Sequence, residues 1–306
     1  SKPLLKWVGG KTQLQGEINP VIPKHFNNYY EPFLGGASTL INVLEKIKHG
    51  QLKCTGKIHA SDLNPFLIGF YIHVRDNTES LLEEISILFK EYNSCKGSEF
   101  YKNPITKSEA MVSKQSYYYW VRDNFNRNFE HVKRCGTNQS VYVSAMFYFM
   151  NKTCFRGLYR ESKNGFNVPF GNYVTDFKIN KDHFNNISLL LKKVVLEVKD
   201  FKHVLMNADK NDFVYMDPPY VQLKDNSFVK YNETGFDEKE HTILFDMVHE
   251  LYKNNIRFVI HNINNEYVMK HLVRETLSSK IVSAKRNIHS KQPDTMVDEV
   301  IVYNSI

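Results

Sequence analysis

Along the first third of the chain, short apolar runs alternate with stretches of helical spacing. Asn28-Tyr29-Tyr30-Glu31-Pro32-Phe33 reads as a strand closing on Gly35-Gly36, and the apolar spacing from Ser38 to Ile47 then predicts a helix. Lys57-Ile58-His59-Ala60-Ser61 reads as a second strand, after which Asp62-Leu63-Asn64-Pro65 opens a helix through His73. Alternation of this kind predicts a parallel sheet with crossover helices. The period then changes. Residues 77–94 and 114–127 are amphipathic at helical spacing, Ser140 to Lys152 reads as a buried helix, and polar breaks run from Gly97 to Ser108 and from Glu130 to Asn138. Phe155 to Tyr173 is loop-like, with a turn at Lys163-Asn164-Gly165. Strand signals return at 194–198 and 212–216 and, beyond the helix-like Asp237–Lys253, at 257–260, 280–282 and 299–303. The expected fold is α/β: residues 1–76 and 191–306 form one sheet, interrupted by a mainly helical insertion over 77–190 that would overhang whatever the sheet binds.

The most specific chemistry is Asp217-Pro218-Pro219-Tyr220, directly after the strand 212–216. Ligands of open α/β sheets sit outside the carboxyl ends of strands. Two prolines fix φ and remove two successive N–H donors. The Asp217 carboxylate and the neighbouring carbonyl are therefore a pair of acceptors with no adjacent donor to quench them. Two acceptors suit an amino group with two hydrogens, and Tyr220 can lay its ring on a planar base. A Pro-Pro turn with a capping Asp is the alternative, but this string after a strand is rare by chance.

Glu31-Pro32-Phe33-Leu34-Gly35-Gly36-Ala37-Ser38 is a weaker signal. Glycine allows close backbone approach and the helix start favours a negative group, yet Ala37 and Ser38 break the G-x-G-x-x-G spacing. Asp62, ending the next strand, is placed either to accept from ribose hydroxyls or to cap a helix. Lys6-Trp7-Val8-Gly9-Gly10-Lys11-Thr12 ends like a phosphate loop but has Leu5 where that motif needs glycine, which disfavours a nucleotide triphosphatase.

Composition narrows the class. A hydrophobic content of 42% with 13% aromatics excludes a disordered chain. The longest apolar run, Val143 to Met150, is less than half of the roughly 18–20 residues a membrane span needs. No secretory signal is visible at the amino terminus, and Cys54, Cys95, Cys135 and Cys154 form neither a C-x-x-C pair nor a disulfide framework. A cytoplasmic protein is expected. His131 and Cys135 are helically spaced without a second pair, so no metal site is expected. The formal charge of +7 hints at a polyanionic partner, with Arg156, Arg160 and Lys163 among aromatics and Lys285, Arg286 and Lys291 near the end as candidate contacts.

With these residues in hand, the chain resembles the amino-methylating DNA methyltransferases, specifically the Dam-like adenine-N6 group. The resemblance spans nearly the whole chain, from Lys6-Trp7-Val8-Gly9-Gly10-Lys11 through Glu31-Pro32-Phe33-Leu34-Gly35-Gly36 and Ser61-Asp62-Leu63-Asn64 to Asp217-Pro218-Pro219-Tyr220. It implies the Rossmann-like, mostly parallel sheet of a class I S-adenosyl-L-methionine-dependent methyltransferase, with a helical target-recognition insertion. Trp7, Gly9, Gly10, Lys11, Phe33, Gly35, Gly36, Ser38 and Asn64 would then line the S-adenosyl-L-methionine pocket. Asp62 would hold the ribose, and Asp200 with Phe201 would flank the donor's adenine. Asp217 and the Pro218 carbonyl would accept from the target amino group, Pro219 would complete the turn, and Tyr220 would stack on the flipped base.

Gly157-Leu158-Tyr159-Arg160 and Gly165-Phe166-Asn167-Val168-Pro169-Phe170-Gly171-Asn172-Tyr173 look like the family's recognition hairpin, about residues 153–173. Arg156, Leu158, Arg160, Asn167 and Pro169, with Arg122 and Asn126, would meet the DNA. The family's hairpin usually has Asn where this chain has Arg156, and Arg prefers guanine or phosphate to adenine. The target is therefore left as GATC or a related short palindrome. The resemblance further implies double-stranded DNA as partner, admits a cognate restriction endonuclease, and suggests a monomer or weak dimer. Cytosine-N4 methyltransferases share the fold but more often have Ser in place of Asp217.

Overall fold

The computed structural model describes residues 1–137, 139–221, 236–285 and 296–304. Its Cα positions group into two units, one of Ser1–Gly10 with Asn64–Lys192 and one of Lys11–Leu63 with Lys193–Ile306.

The second unit is built on seven strands: β1 (Tyr29–Glu31), β2 (Ile58–Asp62), β3 (Val194–Val198), β4 (Phe213–Met216), β5 (Arg257–Ile263), β6 (Ser278–Lys285) and β7 (Met296–Tyr303). Their order across the sheet is β6-β7-β5-β4-β1-β2-β3. Strands β1 to β5 run parallel, whereas β7 lies antiparallel to both β5 and β6. The mostly parallel sheet expected from the alternation is therefore present, with β5, β6 and β7 each longer than their strand signals. All four residues of β4 are buried, as a central strand covered on both faces requires.

Side chains alternate across a strand, and the two faces differ in chemistry. Tyr30, Val214, Met216, Phe258, Ile260, Val300 and Val302 pack with Leu244, Phe245 and Val248 of the helix Glu238–Lys253 in one apolar cluster. Their neighbours in alternation put Glu31, Tyr215, His261 and Glu299, all side chains that can ionise, on the opposite face. On that side lies Lys11, whose backbone N–H donates to Ser38 Oγ at 3.0 Å at the start of the helix Ser38–Lys48.

The first unit is helical: Pro65–Asp76, Thr78–Ser94, Lys114–Arg127, Phe129–Cys135, Val141–Thr153 and Lys181–Leu191. The helix Pro65–Asp76 follows a sheet strand in the chain but groups here because it is apolar nearly all round. Phe66 packs against Phe125 and Phe129, and Phe70 stacks on Tyr148. The seam thus falls at 63/64 rather than at the 76/77 expected from the alternation. Part of the expected break at 130–138 is the helix Phe129–Cys135. Phe129 and Val132, three residues apart, are buried, and that narrow stripe suffices although the charges between them hide the period; Asn138 lies outside the described residues. Among the described residues no helix is long and apolar enough to cross a membrane.

Asn151 secures the amino-terminal strap of this unit. Its Oδ1 accepts from the Lys6 N–H at 2.9 Å and its Nδ2 donates to the Lys6 carbonyl at 2.7 Å, as a neighbouring strand would. Asn151→Ala strands both backbone groups and is expected to cost about 1–3 kcal/mol, read as a lower urea midpoint. An unchanged midpoint would show that the strap contributes nothing to stability.

Candidate active site

The strand order reverses between β1 and β4: the chain continues from β1 toward β2 and β3 on one side, while β4 and β5 lie on the other. The crevice outside the carboxyl ends of the strands at such a reversal is where open α/β sheets take their ligands. β1 runs out into Pro32-Phe33-Leu34-Gly35-Gly36 and β4 into Asp217-Pro218-Pro219-Tyr220. Because β1 pairs with β4 at Tyr29↔Phe213 and Tyr30↔Val214, the two strongest motifs in the sequence leave the sheet side by side.

The Asp-Pro-Pro-Tyr turn is held from several directions. Lys11 Nζ lies 2.9 Å from Asp217 Oδ1 and 3.8 Å from Glu299 Oε2, with 3% of its side chain exposed. The same ammonium stands 4.9 Å from the Tyr220 ring centroid. The Tyr220 hydroxyl donates to Glu299 Oε2 at 2.6 Å, and the Val221 N–H donates to Asn262 Oδ1 at 3.3 Å. His241 Nε2 is 2.9 Å from the Pro219 carbonyl oxygen. Lys11, expected among the donor-pocket residues, thus meets the catalytic candidate Asp217 directly. Glu299, Asn262 and His241 were not marked by any motif. Their only sequence signal is polarity within otherwise apolar strand or helix patterns.

Beneath the turn, burial sets the charge states. Glu31 is 2% exposed, and its carboxyl is pushed up to about 8, chiefly by burial, with the Tyr29 hydroxyl bond opposing and Asp217 adding to the shift. The Tyr29 hydroxyl donates to Glu31 Oε2 at 2.5 Å. Burial, and then the Lys11 and Lys280 ammoniums, hold His261 well below its ordinary range, so that its ring is neutral at pH 7. Burial and the neighbouring Asp217 and Glu299 raise the Tyr220 hydroxyl well above its ordinary value.

The glycine turn after β1 is tied to β2. Asp62 Oδ2 accepts from the Gly35 N–H at 3.0 Å, and the Leu34 N–H donates to the Ser61 carbonyl at 2.9 Å. Gly35 adopts φ 48° and Ala37 φ 60°, so the helix Ser38–Lys48 starts abruptly, without a side-chain cap. Gly36 lies in this turn and Ser38 is 7% exposed. Phe33 stacks on Phe201 with ring centroids 5.4 Å apart, and Phe236 meets Phe33 edge-on at 5.7 Å. Asp200 caps the helix Phe201–Leu205 through the Lys202 N–H at 2.8 Å.

The remaining predicted residues belong to the helical unit. Asn64, not Asp62, caps the helix Pro65–Asp76, accepting from the Phe66 and Leu67 N–H groups. The Trp7 carbonyl accepts from the Gly10 N–H at 3.3 Å in a turn that Gly9 permits at φ 79°, and the Trp7 ring stacks on Tyr159 at 5.8 Å. The hairpin pairs Glu161–Ser162 with Gly165–Phe166. Asn126 exchanges two hydrogen bonds with the Phe166 backbone, at 2.9 and 3.0 Å, and so anchors the hairpin. A Cβ on Gly165, at φ 98°, would stand 2.5 Å from Asn126 Oδ1. Arg160 Nε donates to Asn167 Oδ1 at 2.7 Å, while Arg122 reaches the Val168 carbonyl at 3.4 Å and covers the Tyr119 ring. Exposed Arg156 sits at φ 57° over Phe155, Leu158 is half-buried, and Pro169 and Lys163 are exposed. Arg286 and Lys291 lie outside the described residues, and Lys285 ends β6.

A sheet with this order and an acceptor turn at its reversal is the architecture of a class I S-adenosyl-L-methionine-dependent methyltransferase. Residues 7–291 match the profile of the D12 class N6 adenine-specific DNA methyltransferases, and the chain belongs to that family. It is 34% identical over 297 residues to the "Type II methyltransferase M.MjaIII" of Methanocaldococcus jannaschii, covering 95% of this chain and 93% of that relative. Identity is 30% over 248 residues to the "Type II methyltransferase M.CviBI" of Paramecium bursaria Chlorella virus NC1A, covering 79% and 76%. The "DNA adenine methylase" of Haemophilus influenzae is 28% identical over 299 residues, covering 97% and 90%.

The Glu31 shift fixes the sign of one pH effect. A carboxyl raised from about 4.5 to about 8 binds its proton more tightly in the folded state, so folding loses stability as pH rises between those values. Glu31→Gln removes the dependence. Relative to wild type, it should gain on the order of 2–4 kcal/mol between pH 4.5 and pH 8. Urea midpoints at the two pH values read this out, and a difference that does not change with pH would leave Glu31 with an ordinary carboxyl.

Proposed function

We propose that the chain methylates N6 of an adenine flipped out of duplex DNA, using S-adenosyl-L-methionine, within a short target sequence. The observation that carries this reading is the Asp217 carboxylate, held by Lys11 at the mouth of β4 beside the glycine turn of β1. The donor set at that turn suits the methyl donor: Asp62 for ribose hydroxyls, an uncapped helix start for a carboxylate, and the Phe33 ring for the adenine. When bound, S-adenosyl-L-methionine supplies a methyl group on a sulfonium, which the amino nitrogen takes by direct in-line displacement without a covalent enzyme intermediate.

The chain's own residues prepare the nucleophile. An adenine amino lone pair is delocalised into the ring and attacks poorly. Asp217 and the Pro218 carbonyl accept its two hydrogens, draw the nitrogen toward tetrahedral geometry and stabilise the positive charge that develops. Asp217 faces the proton that the nitrogen must lose. Flipping costs a few kcal/mol, of which stacking on Tyr220 returns roughly 1–3 kcal/mol. Lys11 stands over the Tyr220 ring. In the hairpin, Arg160 is oriented by Asn167 for a base edge, and Arg156 is placed for guanine or phosphate. The name "Type II methyltransferase" borne by two relatives favours a partner endonuclease.

Incubating unmethylated duplex DNA with labelled S-adenosyl-L-methionine, followed by nucleoside analysis and site mapping, tests the reading. Label in N6-methyladenine at one recurring sequence is expected; label in cytosine, or none, overturns it. Asp217→Ala should lower turnover by at least about 10²-fold while donor affinity stays within a few-fold. Arg160→Ala should relax discrimination at one base pair by about 1–3 kcal/mol, visible in the mapped sites.

A further inference from the structure

The structure assigns His241 as a positioning residue of the methyl-acceptor turn, an assignment that rests on the reading of Asp217 given above. Pro218 and Pro219 have no backbone N–H, so neither can donate a hydrogen bond that fixes the orientation of the turn's carbonyls. His241 supplies the missing donor. Its Nε2 lies 2.9 Å from the Pro219 carbonyl oxygen, and its Nδ1 lies 2.8 Å from the carbonyl of Asp237, which caps the helix Glu238–Lys253. A ring protonated on both nitrogens donates to both; the Nε2–H form alone keeps the bond to Pro219.

The ring is held rigidly. His241 is 1% exposed and packs edge-on against Phe236 at 4.7 Å and against Phe245 at 5.9 Å. It therefore locks the second proline's carbonyl onto the helix. Among the described residues no hydrogen bond engages the Pro218 carbonyl. His241 thus selects which carbonyl of the Pro-Pro pair works beside Asp217: the bonded one is structural, and the other faces the amino group. Asn262 at Val221 and Glu299 at Tyr220 fix the far end of the turn in the same manner. The purpose of the clamp is orientation, so its loss should appear in turnover and not in binding.

Methylation kinetics on unmethylated plasmid DNA, compared for wild type, His241→Phe, His241→Gln and Asp217→Asn, test the assignment. Phe keeps the ring volume without a donor, whereas the Gln amide restores an N–H near Nε2. His241→Phe should lose about 10²-fold in kcat, the scale of a misplaced reacting group, with KM for DNA and donor within about three-fold. His241→Gln should recover most of that loss. Near-wild-type kcat in His241→Phe, equal loss in both variants, or a loss confined to KM overturns the assignment. Should His241→Phe fail to fold, long-range ¹⁵N spectra of histidine-labelled wild type decide, with the His241 signal identified by its absence in His241→Gln. A protonated Nε2 supports the clamp, and a bare Nε2 overturns it. Turnover retained by Asp217→Asn overturns the parent reading and this one together. An inactive Asp217→Asn beside an active His241→Phe overturns this one alone.

Discussion

Two consecutive prolines create the constraint around which the sheet unit is organised. They give the turn after β4 its acceptors by removing donors that would otherwise compete for them, and by the same act they remove two of the donors with which it could hold itself. Four fixed points come from elsewhere in the fold. Lys11 comes from the segment before β1, His241 from the helix Glu238–Lys253, Asn262 from β5 and Glu299 from β7. The antiparallel β7 is what makes the last of these available. Glu299 lies on the sheet face opposite the apolar cluster of Val300 and Val302, the face from which it reaches Tyr220 and Lys11.

Placing these charges under the turn is costly, because buried ion pairs recover little more than their desolvation. One ammonium, Lys11, faces the carboxylates of Asp217 and Glu299, while Glu31 is held at about 8 and so keeps its proton at neutral pH. His261, neutral between Lys11 and Lys280, adds no positive charge. Under the proposed function, the excess of carboxylate over ammonium would favour the positive charge that develops on a methylated amino nitrogen. Such preorganised charge is worth more in a water-poor site than in solution. The arrangement makes sense as a cost in stability accepted for orientation and electrostatics.

Periodicity locates every strand of the sheet and the longer helices except Lys181–Leu191, because each has a face that is apolar over several turns or residues. It is not enough for Phe129–Cys135, where two buried side chains sit among five that are not, or for the seam between the units, since the helix Pro65–Asp76 is apolar on almost every side and carries no mark of which neighbour it meets. The site divides along the same physical line. Asp217 to Tyr220 and Glu31 to Ser38 are contiguous strings whose chemistry is local and therefore readable. His241, Asn262 and Glu299 act on residues 22, 41 and 79 positions away. Nothing in their immediate neighbours encodes those partners. Asp62 and Asn64 show the converse: either side chain could cap the following helix by composition, and only the geometry gives the cap to Asn64 and leaves Asp62 on Gly35.

The hairpin Glu161–Phe166 follows the rule of the Asp-Pro-Pro-Tyr turn, with side chains standing in for missing backbone order. Its two strands are only two residues each, too short to stay paired on their own ladder. Asn126 compensates by pairing with Phe166 as a strand would, and Gly165 must be glycine there because a Cβ would strike that amide. Asn167 then fixes Arg160 at the exposed edge, so that under the proposed function its orientation would be set before DNA arrives. Preorganising one arginine in this way reduces the side-chain entropy lost on binding and sharpens discrimination among bases. Arg156 has a left-handed backbone and its guanidinium lies over the Phe155 ring. Under the proposed function the Arg160–Asn167 pair would read a base edge, while Arg156 would meet a guanine or a phosphate.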